Sequence, residues 1–184
     1  MSVVGVFFAE GYEEIEALTV VDILRRGGIE VRMISVTGEK EVTGSHKITV
    51  KMDQTLSETD FLGLDMIVLP GGMPGTTNLE SCALLMEQVD AFNRQGKGIS
   101  AICAAPSIFG HRGMLEGRNA CCYPDREPEL SGALVTKNPV EVSEHVTTSR
   151  GMGTAIEFAL AILERFQGRE AADRMAEKIV YVRA

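Results

Sequence analysis

Cys103 stands between an apolar run, Gly98-Ile-Ser-Ala-Ile102, and a segment of small residues, Ala104-Ala-Pro-Ser107, that reads as the first turn of a helix. At a strand-to-helix junction the unpaired backbone N–H groups and the positive end of the helix dipole favour a thiolate, the nucleophilic form of cysteine. A buried cysteine acting as a small hydrophobe is the alternative. The small side chains after Cys103 leave room for a substrate, and Pro106 suits an opening turn, so the nucleophile is the preferred reading.

Glu16 is the carboxylate of interest. It precedes Val20 by four residues and Ile23 by seven, which sets it on the apolar side of a helix. Burial there raises its pKa, and a protonated carboxyl can donate to the Cys103 sulfur and later shuttle a proton. A helix N-terminal glutamate favoured by the dipole is the other reading, and spacing alone leaves both open. Glu13 and Glu14 read as ordinary solvated charges. Gly71 and Gly72, in Pro70-Gly71-Gly72, let backbone amides approach a ligand closely, so the N–H groups of Gly72 and Ala104 are candidate donors to a developing oxyanion. A Gly-Gly turn is equally consistent with a tight turn and nothing more.

A cysteine hydrolase needs a base, and the chain has only His46, His111 and His145. His111 lies two turns along the helix that follows Cys103, while His46 and His145 fall in polar segments and are expected on the surface. A Cys-His dyad is therefore disfavoured. Cys121-Cys122 lacks a second pair or a histidine cluster at ligand spacing, so no metal site is expected. As neighbours in a strand the two should point to opposite faces, one inward and one outward. No G-x-G-x-x-G or P-loop signals a nucleotide, and no cofactor is expected.

The elements that must carry these residues alternate. Val3 to Ala9 is a nearly continuous apolar run, the pattern of a strand covered on both faces. Glu13 to Arg26 carries Ile15, Leu18, Val21 and Leu24 at helical spacing and stops at Gly27-Gly28. Ile29 to Val36 is the next strand, and Thr37 to Met52 reads as a small antiparallel excursion. Asp65 to Leu69 is a buried strand, followed by a helix capped by Asn78 and running to Gln95. Lys97 to Ile102 leads to Cys103 and a helix to about Leu115. Extended pieces are expected at Asn119 to Tyr123, Ala133 to Lys137 and Glu141 to Thr148. Thr154 and Glu157 form a capping-box pattern before a helix ending near Gly168, and Arg169 to Tyr181 is the last helix. This order predicts a three-layer α/β/α sandwich with a mostly parallel sheet, in which sites lie beyond the carboxyl ends of the strands. The segments Ala9-Glu10-Gly11, Pro70-Gly71-Gly72 and Cys103 should meet there.

The chain of 184 residues, 45% hydrophobic, is the size of one domain spanning 1–184. A formal charge of −8 opposes contacts with phosphate backbones, so nucleic acid is not an expected partner. The four cysteines form no disulfide framework, which points to a reducing cytoplasm. Ser2 to Phe8 follows the first residue with no secretory pattern, and no apolar run approaches about 18 residues, so neither secretion nor membrane spanning is expected.

Taken together, Glu13-Glu-Ile-Glu16, Leu69-Pro-Gly-Gly72, Ala101-Ile-Cys-Ala-Ala-Pro106 and Thr148-Ser-Arg-Gly-Met-Gly-Thr154 resemble the ThiJ/PfpI superfamily, in the branch of the Parkinson-disease-associated protein deglycase. The resemblance spans nearly the whole chain. It implies a flavodoxin-like sandwich, a homodimer, and a nucleophilic, oxidation-prone cysteine bonded to a protonated glutamate, with Cys103 and Glu16 in the matching positions. The implied activities are cofactor-independent conversion of methylglyoxal to lactate in the manner of glyoxalase III, deglycation of early glycation adducts, and chaperone-like protection under oxidative stress. Its partners would be small reactive carbonyls or glycated adducts. Family precedent brings Arg25, Arg26 or His46 near a partner subunit's site. Two departures stand out. Protease members place histidine directly after the nucleophile, where this chain has Ala104, which argues against a peptidase. The deglycase has a His-Pro step where this chain has Tyr123-Pro124.

Overall fold

Val3 to Phe8 is apolar at all but one position and buried, and it forms an interior strand of the sheet (β1, Val3–Phe8). The computed structural model describes residues 2–182, so positions 1, 183 and 184 of the expected 1–184 span lie outside the described residues. In chain order there follow α1 (Glu14–Arg26), β2 (Glu30–Ser35), β3 (Glu41–Thr43), β4 (Thr49–Lys51), β5 (Gln54–Thr55), β6 (Met66–Leu69), α2 (Gly75–Glu80), α3 (Ala83–Gln95), β7 (Gly98–Ile102), α4 (Pro106–His111), β8 (Asn119–Ala120), β9 (Leu134–Val135), β10 (Val140–Ser143), β11 (Val146–Ser149), α5 (Ala155–Gln167) and α6 (Arg169–Lys178).

The main sheet has the order β10-β11-β7-β6-β1-β2-β5, with every pairing parallel except β10 with β11. Alternation along β1 divides the core. Val4, Val6 and Phe8 pack with α1, α5 and α6, while Val3 and Phe7 pack with residues of α2, α3 and α4. The fold is the flavodoxin-like three-layer sandwich the sequence predicts. β3 and β4 pair antiparallel as the expected small excursion. Among the described residues no helix is long and apolar enough to cross a membrane.

Several boundaries differ from the pattern-based expectation. The helix expected from Asn78 to Gln95 is two helices. Ser81 Oγ donates back to Thr77 O at 2.8 Å, the chain breaks, and Cys82 rather than Asn78 precedes α3. Asn78 lies within α2, where its Nδ2 donates to Glu10 O at 2.8 Å and ties that helix to the end of β1. The helix after Cys103 ends at His111, short of Leu115, because Gly113 takes a positive φ and Met114 N–H turns back to Phe109 O. The Glu141 to Thr148 piece folds back on itself at Glu144 into β10 and β11. The pieces near Asn119 and Ala133 shrink to β8 and β9, paired only with each other. Thr154 does not cap α5 with its side chain. Its hydroxyl serves Gly151 O and Ser149 Oγ in a preceding 3₁₀ turn. The last helix stops at Lys178 rather than Tyr181.

Glu14 is not a solvated charge: it is 4% exposed and clamps the β3–β4 hairpin onto α1. Its Oε1 accepts from His46 N–H at 2.7 Å, and its Oε2 lies 2.9 Å from His46 Nδ1. Burial pushes this carboxyl up, but the His46 ring and backbone bonds outweigh it and hold the group below its ordinary 4.5. The same contact raises His46 above 6.5. The carboxylate contribution is present above 4.5 and lost as pH falls through the lowered folded value. The imidazolium contribution is complete below 6.5 and lost as pH rises through the raised one. The hairpin should therefore be held most firmly between those two values. Amide hydrogen exchange over residues 43–49, corrected for intrinsic rates, should show greatest protection in that window, and His46→Ala should abolish the alkaline decline.

Candidate active site

Three chain segments converge at the carboxyl edge of the adjacent strands β7, β6 and β1. Gly75 N–H donates to Gly11 O at 3.1 Å and Glu13 N–H to Gly71 O at 2.9 Å, which locks the turns after β1 and β6 together. Cys103 closes the third side at the end of β7. Its backbone is left-handed, with φ 66°, a conformation that costs a residue with a side chain about 1–3 kcal/mol. The surroundings hold it there: its N–H donates to Ser149 O at 3.0 Å, and its C=O accepts from Tyr123 N–H at 2.8 Å.

Glu16 reaches this point because Glu13 caps α1, its Oε2 accepting from Glu16 N–H at 2.7 Å. The Glu16 side chain is left to turn inward and is 1% exposed. Its carboxyl hydrogen-bonds the Cys103 thiol and accepts N–H donations from Gly71, at 3.0 Å, and from Met152. Burial is the main force pushing the Glu16 carboxyl up to about 7, and the Glu13 charge adds to it. The N–H groups of Gly72 and Ala104 both point at the Cys103 sulfur.

A helix N-terminus does not by itself make this a low-pKa thiol. Burial first, and then the Glu16 carboxylate, push Cys103 up to about 12, while the Gly72 and Ala104 amides pull the other way. The two acids share one site and cannot both ionise, so the first proton to leave belongs to the pair. The thiolate exists where that remaining proton sits on Glu16.

Gly71 cannot carry a side chain. A Cβ there would lie 2.6 Å from Cys103 Cβ and 2.7 Å from Glu16 Oε2. Gly72 has φ +89°, and a Cβ on it would stand 2.4 Å from Glu13 N. The sequence offered no signal for the Met152 amide, the Ser149 carbonyl or the Tyr123 amide, since backbone donors and acceptors bear no residue-type signature.

The histidines are engaged elsewhere. His145 is buried rather than on the surface, bonded to Asn93 Oδ1 at 2.8 Å, and desolvation lowers its pKa. His111 bridges Glu80 and Glu129. Glu13, Glu14 and His46 bring ligand-type atoms within 4.8 Å of one another, but Glu13 Oε2 already caps α1 and both Glu14 oxygens already accept hydrogen bonds. Cys121 and Cys122 are both buried, against the expectation of one inward and one outward. The chain has left β8 at that point, and Cys121 lies along β11, its N–H donating to Thr148 Oγ1 at 3.0 Å, while Cys122 packs in the cluster beneath α3 and α4.

A flavodoxin-like sandwich with a cysteine on a strained turn beside a buried glutamate defines the class. The chain belongs to the DJ-1/PfpI family, whose model matches residues 2–165. It is 37% identical to protein DJ-1 homolog B of Arabidopsis thaliana over 94% of this chain and 40% of that protein, so it spans about two fifths of that relative's length. It is 31% identical to the glutathione-independent glyoxalase DJR-1.2 of Caenorhabditis elegans, over 92% of this chain and 91% of that one. The structure of Toxoplasma gondii DJ-1, oxidized, superposes with a TM-score of 0.93 at 36% identity, covering 100% of both chains.

Gly71→Ala should force Cys103 and Glu16 apart and cost about 2 kcal/mol of stability through overpacking. A thermal melt would read the second effect. Competitive alkylation of the folded variant, scored by peptide mass spectrometry, should show Cys103 losing its reactivity relative to wild type.

Proposed function

We propose that the protein is a cofactor-independent enzyme that converts α-oxoaldehydes to hydroxy acids, as in the conversion of methylglyoxal to lactate, with release of early glycation adducts as a related reaction. The observation that carries this reading is the buried Glu16 carboxyl bonded to a Cys103 sulfur at which two backbone amides are aimed. The Caenorhabditis relative named as a glutathione-independent glyoxalase supports it.

In the one-proton state the Cys103 thiolate adds to the aldehyde carbon. The negative charge passes to the carbonyl oxygen, within reach of the Gly72 and Ala104 N–H groups. Glu16 supplies its proton to that oxygen, then takes the hydrogen of the first carbon as a proton and returns it to the second, while the new hydroxyl's proton passes to the oxygen of the second carbon, leaving a thioester. Water cleaves the resulting thioester, releasing the hydroxy acid and freeing the thiolate. Aldehyde plus water balances the product, so no oxidant enters. Ala104 in place of a histidine disfavours peptide hydrolysis. Tyr123, where the deglycase has histidine, can donate a hydrogen bond to substrate.

The second reading is an oxidative-stress sensor or holdase in which Cys103 becomes a sulfinate held by the Glu16 carboxyl. The oxidized Toxoplasma structure favours it. A steady-state methylglyoxal assay separates the two. Turnover should be lost in Cys103→Ser and in a folded Glu16→Gln. Wild-type turnover no greater than that of Cys103→Ser would leave the sensor as the reading to adopt.

The pH profile of Cys103 alkylation should rise through about 7, because that first proton is the pair's. Glu16→Gln should abolish that inflection. A wild-type thiol that becomes reactive only far above this value would mean that Glu16 does not hold the proton for it.

A homodimer is part of the proposal. Ile15, Leu18, Ile48, Ile156 and Ile179 line one apolar groove along α1 and the hairpin, where Ile15 and Ile48 are exposed. A second copy packing here would cover both. Ile48→Glu should shift sedimentation from dimer to monomer. Four free cysteines suit a reducing compartment such as the cytoplasm.

A further inference from the structure

Away from the Cys103 site, one buried carboxylate fastens a separate piece of the fold. β3 and β4 pair only with each other, and a two-stranded hairpin of that size is marginal unless something holds it. Val42, fully buried, pins the stem. The turn is held by Glu14, whose Oε1 accepts from His46 N–H at 2.7 Å while its Oε2 meets His46 Nδ1 at 2.9 Å and Ser45 Oγ at 3.3 Å. Gly44 lets the carboxyl lie this close, since a Cβ there would collide with Glu14 Oε1. The His46 side chain is 70% exposed in the single chain, so its ring exchanges protons with solvent.

The clamp stands on the edge of the apolar groove. Glu14 lines that groove with Ile15 from α1 and Ile48 from the hairpin. Ile15 follows Glu14 and Ile48 stands two residues beyond His46, so the contact that binds hairpin to helix also keeps the two exposed isoleucines in one surface. Two acids, Glu14 and Asp22, and two bases, Arg26 and Lys178, line the same groove, so this face laid on its own copy about a two-fold axis sets acid against base while it covers the isoleucines. Building on the homodimer reading above, we infer that the Glu14–His46 clamp gates this interface: two copies associate tightly while His46 carries its proton and weakly once the proton is lost. A charge-assisted bond then becomes a neutral one, the turn bearing Ile48 loosens, and the second copy must order it on binding. Of the charged groups that meet here, Glu13 and Glu14 on α1 both favour the imidazolium, so the proton leaves above the ring's ordinary 6.5. Glu10, in the turn before α1, accepts from Thr43 N–H at the stem, and Lys47 follows His46 in the hairpin turn.

Sedimentation equilibrium of the full chain from about pH 6 to about pH 9, where Glu14 stays ionised, tests the gate in wild type, His46→Arg and His46→Gln. The wild-type dimer Kd should rise about tenfold across that range, since each dimer contains two clamps. His46→Arg keeps a cation at every pH used and should hold the tight value throughout, and His46→Gln the weak one. A wild-type dimer of constant Kd overturns the inference and leaves the dimer standing. So does a His46→Arg protein that weakens as wild type does, because the proton then belongs to another group, such as the Glu16–Cys103 pair. A monomer at every pH overturns the homodimer reading and the gate with it.

A second readout serves a dimer too tight to dissociate in the ultracentrifuge. Subunit exchange between copies carrying donor and acceptor fluorophores should quicken about tenfold between the same limits in wild type and stay constant in His46→Arg. Wild-type exchange that ignores pH sinks the gate.

Discussion

A single proton between the buried Glu16 carboxyl and the partly buried Cys103 thiol governs the rest of this structure. Two acids side by side resist ionising together in a poorly solvated site, so above about 7 the pair keeps one proton, and its reactive form puts the charge on sulfur. That form needs a carboxyl kept from water, donors that accept charge on the sulfur, and neighbours thin enough to let the two groups meet. Glu13 at the start of α1, the amides of Gly72 and Ala104, and the bare backbone of Gly71 supply them in turn.

The strain at Cys103 follows from the same requirement. A cysteine continuing β7 would point its side chain into one of the two helical layers, whereas the left-handed turn lifts it to the sheet edge where Glu16 arrives. The conformation persists because both backbone polar groups are satisfied by neighbours that are themselves anchored, Ser149 at the end of β11 and Tyr123 after the buried cysteines. The first α-helical residue, Pro106, comes three residues later, so local amides rather than a long helix dipole face the sulfur.

The chain belongs to the DJ-1/PfpI family, and the proposed chemistry rests on few of its side chains. Ala104 leaves the cysteine without an adjacent histidine, and Tyr123 takes the place of the deglycase histidine. In the proposed mechanism proton movement then rests on Glu16.

The sequence by itself determined the layers and singled out Cys103 as the candidate nucleophile. Continuous apolar runs must be covered on both faces and helical spacing must bury one stripe, so β1, α1 and the Cys103 junction were legible from local pattern, whereas spacing left Glu16 open between a buried carboxyl and a helix N-terminal charge. Gly72 and Ala104 could be named from sequence only as candidate donors, because a Gly-Gly turn is equally consistent with a tight turn and nothing more. Only the tertiary structure decided the rest. The break at Ser81, the early stop at Gly113 and the use of the Thr154 hydroxyl for Gly151 rather than as a cap turn on which carbonyl a short side chain or a turn finds in space. The burial of Glu14 and His145 depends on elements far away in the chain, the hairpin for one and α3 for the other. The same holds for the thiol: a cysteine before a helix promises a low pKa, but desolvation and a facing carboxylate outweigh local amides, and both arise from packing between segments that the sequence separates.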